Sequence, residues 1–205
     1  MFQDLDATLA ALLDAELAVR NVDISFAAPD DQFPPSGVTL PAVSMFLYDI
    51  RENTQLRSNE WELRRDDDNR ITSRRRPPVR VDCSYLITAW PSDVPEPAAD
   101  EHLLLGEVMK VLLRHRAVPA QYLRGDLEGQ EPPVRARILA ENQLQSLGEL
   151  WQAMGGKPKA ALHYGVTLSV DVSGWEVPGP KVFETVISLS QGVLPAEPAG
   201  TSSNP

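Results

Sequence analysis

The chain has 205 residues, with 19 Lys and Arg against 29 Asp and Glu, for a formal net charge of −10. That balance excludes a nucleic-acid binder, which needs clustered Lys and Arg to neutralise phosphates, and a single cysteine excludes a disulfide framework. No stretch approaches the roughly 18 apolar residues of a membrane span, and Met1 to Arg20 lacks the basic start, apolar centre and cleavage site of a signal peptide. Folding in the cytoplasm, with neither a nucleic-acid nor a membrane partner, is the expectation.

The length suits one domain over residues 1–190, followed by a flexible tail over 191–205 rich in proline, serine and glycine. Phe2, Leu5, Leu9, Leu12, Leu13 and Leu17 recur at steps of three and four, which predicts an amphipathic helix from about Asp4, as N-cap, to Ala18. The period then changes. Val22, Ile24 and Phe26 alternate with Asp23 and Ser25 as in a half-buried strand. Pro29, Pro34, Pro35, Gly37 and Pro41 mark a loop, and Val43 to Ile50, apolar on both faces, reads as a strand inside a sheet.

From Arg51 to Arg76 the composition turns polar. The run Asp66-Asp67-Asp68-Asn69 forms a turn between two basic, strand-capable arms, giving a protruding hairpin over 54–76, with disorder as the competing reading. After Pro77 and Pro78, the run Val79 to Trp90 predicts a central strand with Val79, Val81, Cys83, Tyr85, Ile87 and Ala89 on one face. A helical stripe of Leu103, Leu104, Val108, Val111 and Leu112 follows, from about Asp100 to His115.

Val134, Ala136, Ile138 and Ala140 alternate after Pro132 and Pro133, as in a short edge strand. Leu144, Leu147, Leu150, Trp151 and Met154 outline a short helix stopped by Gly155 and Gly156. Leu162 to Val172 is the clearest strand, with Leu162, Tyr164, Val166, Leu168, Val170 and Val172 on one face, and Lys181 to Leu189 is a weaker last strand. The fold class is therefore α/β of the α+β type: a mostly antiparallel or mixed sheet of about five strands flanked by two or three helices.

Chemistry is hard to place on this pattern. His102, His115 and His163 lack zinc-site spacing, and Cys83 falls mid-strand as a small buried residue. Glycines make neither a phosphate loop nor a dinucleotide fingerprint, and Ser84, Ser169 and Ser188 sit within strands, away from any nucleophile elbow. No catalytic residue, cofactor or metal site is expected. Trp90 and Trp151 read as core anchors. Trp61, beside Arg64 and Arg65 in a polar arm, suits either a protein interface or local packing.

The order of Phe46 to Asn53, Leu56-Arg57, Pro77-Pro78, Tyr85 to Trp90, Gly106-Glu107, Leu150 to Gly155 and Tyr164-Gly165-Val166 resembles the tail-terminator or cap family of extracellular contractile injection systems, which are phage-tail-like particles. The likeness spans about residues 3–190. Its most specific pieces are Tyr48-Asp49-Ile50-Arg51-Glu52-Asn53 and Tyr85-Leu86-Ile87-Thr88-Ala89-Trp90. The resemblance implies a noncatalytic homo-oligomer, a hexameric ring at the baseplate-distal end of the inner tube and sheath, ending their polymerisation within a particle assembled in the cytoplasm. Its partners would be the sheath protein, the inner tube protein and, in a two-layer cap, a paralogous subunit. The implied fold is that of phage tail terminators, a sheet flanked by helices.

Six protomers at −10 each carry −60, so local arginine surfaces would ease close packing. The candidate interface residues are Arg51, Glu52, Asn53, Arg57, Trp61, Arg64, Arg65, Arg74, Arg75 and Arg76. The Pro133 to Ala140 and Lys181 to Leu189 strands are candidate edges for a sheath arm to join by strand addition. An adaptor or baseplate binding module of the same kind of particle is the alternative. A small acid-base enzyme using Asp49, Glu52 and Glu60 is the more remote one.

Overall fold

Leucines at 5, 9, 12 and 13 fall on one side of a 3.6-residue period, and in a computed structural model of the chain all four are fully buried on helix α1 (Phe2–Glu16). The structure describes residues 1–92, 95, 97–139 and 147–179. The expected strand Lys181–Leu189, the tail 191–205 and Leu144 lie outside them. α1 begins two residues before Asp4, so Met1 and not Asp4 is the N-cap. The Asp4 carboxylate instead accepts from the Met1 ammonium at 2.7 Å and lies in the first turn, where the helix dipole favours negative charge.

Seven strands follow among the described residues: β1 (Asp23–Ser25), β2 (Ala42–Glu52), β3 (Glu62–Arg65), β4 (Ile71–Arg75), β5 (Val79–Trp90), β6 (Arg135–Ile138) and β7 (Leu162–Val170). Five of them make a mixed sheet in the order β1-β2-β5-β7-β6, and β3 and β4 make a separate hairpin. Among the described residues only the β1–β2 pair is parallel. The two strands richest in apolar residues, β2 and β5, are interior, and the proline-preceded β6 is an edge, as their sequences require.

Period-two alternation sorts β5. Cys83, Tyr85, Ile87 and Ala89 join the core, together with Val43 and Met45 of β2 and Leu162, Tyr164, Val166 and Leu168 of β7. Val172, expected on that face, lies beyond the end of β7 and is exposed. Helices α1 and α2 (Pro97–Arg114) supply the other half of this core. Each fully buried leucine here stabilises the fold by about 1.5–3 kcal/mol.

On α2 the buried set is Leu104, Leu105, Val108, Val111 and Leu112, while Leu103 is 60% exposed. The expected stripe is therefore displaced by one residue at its start. A side chain at 103 shares its face with Glu107 and Lys110, which form an ion pair at the surface, whereas 105 is aligned with Val108 and Leu112. The end of α2 is tied to the end of α1 through Glu16, whose carboxylate meets His115 Nε2 at 2.8 Å, Arg114 at 3.1 Å and the Tyr122 hydroxyl at 3.2 Å. His115 above all holds that carboxyl below its ordinary range.

The sheet's other face is covered at one end only. Phe33 stacks on Trp90 with ring centroids 4.5 Å apart, and Lys159 lies 4.6 Å over the same indole. Trp151, on α3 (Leu147–Ala153), is buried, and its ring packs on Gly156, where an added Cβ would lie 3.2 Å from the Pro29 carbonyl oxygen. Both tryptophans anchor packing as expected, yet outside the main core. Toward the other end that face is polar, with Arg80, Asp82, Ser84, Thr167 and Ser169.

Candidate interface

The segment after β2 folds as a hairpin because its turn chemistry is local and complete. Asp66 Oδ1 accepts from the Arg70 N–H at 2.7 Å, the Asp66 carbonyl accepts from Asn69 N–H at 2.9 Å, and Asn69 takes the left-handed conformation (φ 62°) that asparagine tolerates. Strand alternation then assigns the arginines to two faces. Leu63 pairs with Arg74, and on that face Arg74 and Arg76 lie 4.5 and 5.8 Å over the Trp61 ring. Arg64 pairs with Ser73, and on the opposite face Arg64 and Arg75 lie 4.0 and 4.9 Å from the Trp175 ring. One tryptophan therefore serves each face.

Trp61 is a partner of Arg74 and Arg76, which are distant from it in sequence but adjacent across the hairpin, and not of neighbouring Arg64 and Arg65. Arg65 donates to the Asn69 carbonyl at 3.0 Å, and Arg75 bridges Glu62 and Asp171 at 2.6 and 2.7 Å. Arg74 and Glu176 exchange two main-chain hydrogen bonds, so the hairpin has a third strand-like partner in the segment after β7.

Arg51, Glu52, Asn53 and Arg57 assemble separately, where β2 ends and a 3-10 turn (Thr54–Leu56) begins. Asn53 Oδ1 accepts from Leu56 N–H at 3.0 Å, capping the turn, and its Nδ2 donates to Asp82 at 2.9 Å. Arg57 grips Glu52 through two nitrogens at 2.8 and 2.7 Å, and Arg51 contacts Asp49 at 2.7 Å. Arg51, Glu52 and Asn53 rim a groove of about 640 Å³ on the polar sheet face, floored by Asp82, Ser84, Gly165 and Thr167. A bulge in β2 between Leu47 and Asp49 sets Tyr48 beside His163, 3.4 Å from hydroxyl to Nδ1.

A general acid needs a carboxyl raised by burial, but the Arg57 guanidinium holds Glu52 below its ordinary range, and burial lowers His163. Asp49 and Glu52 line the groove and Glu60 does not. Among the described residues, no three His, Cys, Asp or Glu side chains converge as metal ligands would.

A family model described as the Pvc16 N-terminal domain matches residues 4–184, most of the chain. The chain belongs to the Pvc16 N-terminal domain family. Solved structures that share its fold include two tube terminators. One is the sheath and tube terminator of the PVC extracellular contractile injection system in its extended state, with 27% identity over 93% of this chain and a TM-score of 0.63. The other is the tube-terminating cap of the anti-feeding prophage, with 27% identity over 91% and a TM-score of 0.61. The chain spans 64% and 62% of those two chains, a little under two thirds. No curated protein sequence matches it. This Pvc16 N-terminal domain chain thus has the terminator fold that its motifs imply.

Three partners escaped the sequence reading. Trp175 and Glu176 complete the hairpin from about 100 residues downstream, with only an aromatic in a polar stretch to signal them. Arg80 is 7% exposed on the polar sheet face, where it donates to Ser169 Oγ at 2.5 Å. Burial first, and Arg135 second, push its guanidinium below the ordinary arginine range. No helix among the described residues is long and apolar enough to cross a membrane.

Proposed function

We infer that the chain caps a contractile injection system, forming a ring at the baseplate-distal end of the inner tube and sheath and stopping their growth. The observation that carries this reading is the match over nine tenths of the chain to two proteins whose solved structures are a sheath and tube terminator and a tube-terminating cap. The action is geometric. A growing filament presents a repeating docking surface, and a ring complementary to it on one side, with no equivalent surface on the other, makes another layer unfavourable.

On this reading the protein does no bond-making chemistry, consistent with a groove whose Asp49 and Glu52 carboxylates are paired with arginines and whose Asp82 is hydrogen-bonded to Asn53 and Thr167. The ring is proposed to have six members, each with its helices on one sheet face and the polar groove on the other. The contact residues are the exposed Arg51, Glu52 and Arg57 at the groove and Trp61, Arg64, Arg65 and Arg76 on the hairpin, while Asn53, Arg74 and Arg75 hold those two surfaces in shape. Trp–Arg surfaces of this kind are rich in binding hot spots. Deleting the gene and measuring particle length by electron microscopy tests the reading: uncontrolled tube lengths or lost sheath are expected, and uniform intact particles would refute it.

A further inference from the structure

Three large apolar side chains left to solvent, Leu56 (43%), Leu113 (52%) and Leu139 (57%), line one groove of about 930 Å³. Its walls are the 3-10 turn after β2, the end of α2 and the outer edge of β6. Among the described residues its charged lining is His115, Arg116, Arg135 and Arg137, without one carboxylate. In a chain of net charge −10, a groove of this composition is a local basic surface. His115 is engaged by Glu16, but among the described residues none of the three arginines has a carboxylate partner.

The edge itself is half closed. Ala136 N–H donates to the Arg116 carbonyl and Val118 N–H to the Val134 carbonyl, both at 2.9 Å, which pairs the first half of β6 with the Arg116–Val118 segment. Leu139 N–H turns inward to the His163 carbonyl, so alternation directs the N–H and C=O of Ile138 outward. Among the described residues no main-chain partner meets them. Leu139 follows in left-handed backbone (φ 56°), which leucine rarely adopts and which keeps an apolar side chain in the groove.

We propose that this groove receives an extended acidic segment of a partner protein as a strand added to β6. Arg135 and Arg137, opposite Thr167 and Gly165, share the polar sheet face, whereas Leu113 belongs to the helix on the core face. A strand alternating carboxylate and apolar side chains therefore presents its acids to the guanidiniums and its apolar residues to Leu113. The proposal rests on the cap reading for the partner's source, a component of the capped filament, and on the groove alone for its chemistry.

The purified protein is titrated with an eight-residue peptide alternating valine and glutamate, and backbone amide shifts are followed by NMR. Shifts are expected at Ile138, Leu139 and Leu113, with binding about tenfold weaker for the Arg135→Ser, Arg137→Ser double variant or for a peptide carrying a central proline. Thermal melting confirms that the variant folds, since both side chains are exposed. Equal binding of a valine–lysine peptide, shifts located elsewhere, or no shifts at millimolar peptide overturns the proposal. So does an oligomer that the double variant dissociates while no peptide binds, because the groove then belongs to a second copy. Failure here leaves the cap reading standing, and uniform particles from a deletion strain would sink the cap reading while leaving the groove.

Discussion

The main chains of Arg74 and Glu176 are hydrogen-bonded to each other twice, at 2.8 and 2.7 Å, across 102 positions of sequence. This clip, with Trp175 against Arg64 and Arg75, fastens an otherwise two-stranded ribbon to the body. An isolated hairpin is marginally stable in water. Replacing Glu176 with proline deletes the N–H that the Arg74 carbonyl accepts. Trypsin cleavage after Arg74 and Arg75 is expected to accelerate severalfold in the variant, and unchanged cleavage would show that the ribbon holds itself.

The two faces of α2 make a direct comparison. Leu104→Ala removes a side chain 3% exposed and is expected to cost about 2–5 kcal/mol in urea unfolding, as a cavity-forming truncation does. Leu103→Ala, at 60% exposure, is expected to stay within about 0.5 kcal/mol of the parent. Similar losses for both would place the core on the wrong face.

Asp6 receives a 2.8 Å hydrogen bond from the buried Tyr85 hydroxyl, but burial outweighs that bond and leaves its carboxyl above the ordinary aspartate range. A carboxyl raised in the folded state costs stability as pH rises from its unfolded value, near 3.8, through its folded one. Asp6→Asn keeps an acceptor for Tyr85 without the charge. Its stability relative to the parent is expected to be highest at neutral pH and to shrink on acidification below that window. A relative stability independent of pH would contradict this.

Cys83 is fully buried on β5, and desolvation pushes its thiol up to about 12. The native protein is therefore expected to resist iodoacetamide at pH 8 over hours and to react fully once denatured, as read by intact mass. Rapid native labelling would mean that the core opens at β5.

The fold was legible wherever one period dominated. α1, β5, β6 and β7 announced themselves because each must bury one face, and that demand writes a pattern into consecutive residues, while β2 was legible as a continuous apolar run. The start of α2 misled because Leu103, Leu104 and Leu105 are all apolar, so only Glu107 and Lys110, one and two turns on, reveal which side faces water. The two motifs most specific to the family prove to be neighbours: Tyr85 to Trp90 pairs with the first half of β2, and Asp49 to Glu52 with the Val81–Ser84 part of β5. The interface was legible only in part. Arginine content marked the hairpin, but which tryptophan serves which arginine depends on strand pairing, and Trp175 arrives through a contact no local pattern encodes.

The most direct test of the central claim is cryo-electron microscopy of intact particles carrying this protein with a bulky tag. The account predicts tag density as a ring only at the end of the tube and sheath opposite the baseplate. Tag density at the baseplate, or particles closed at the far end without this protein, would contradict it.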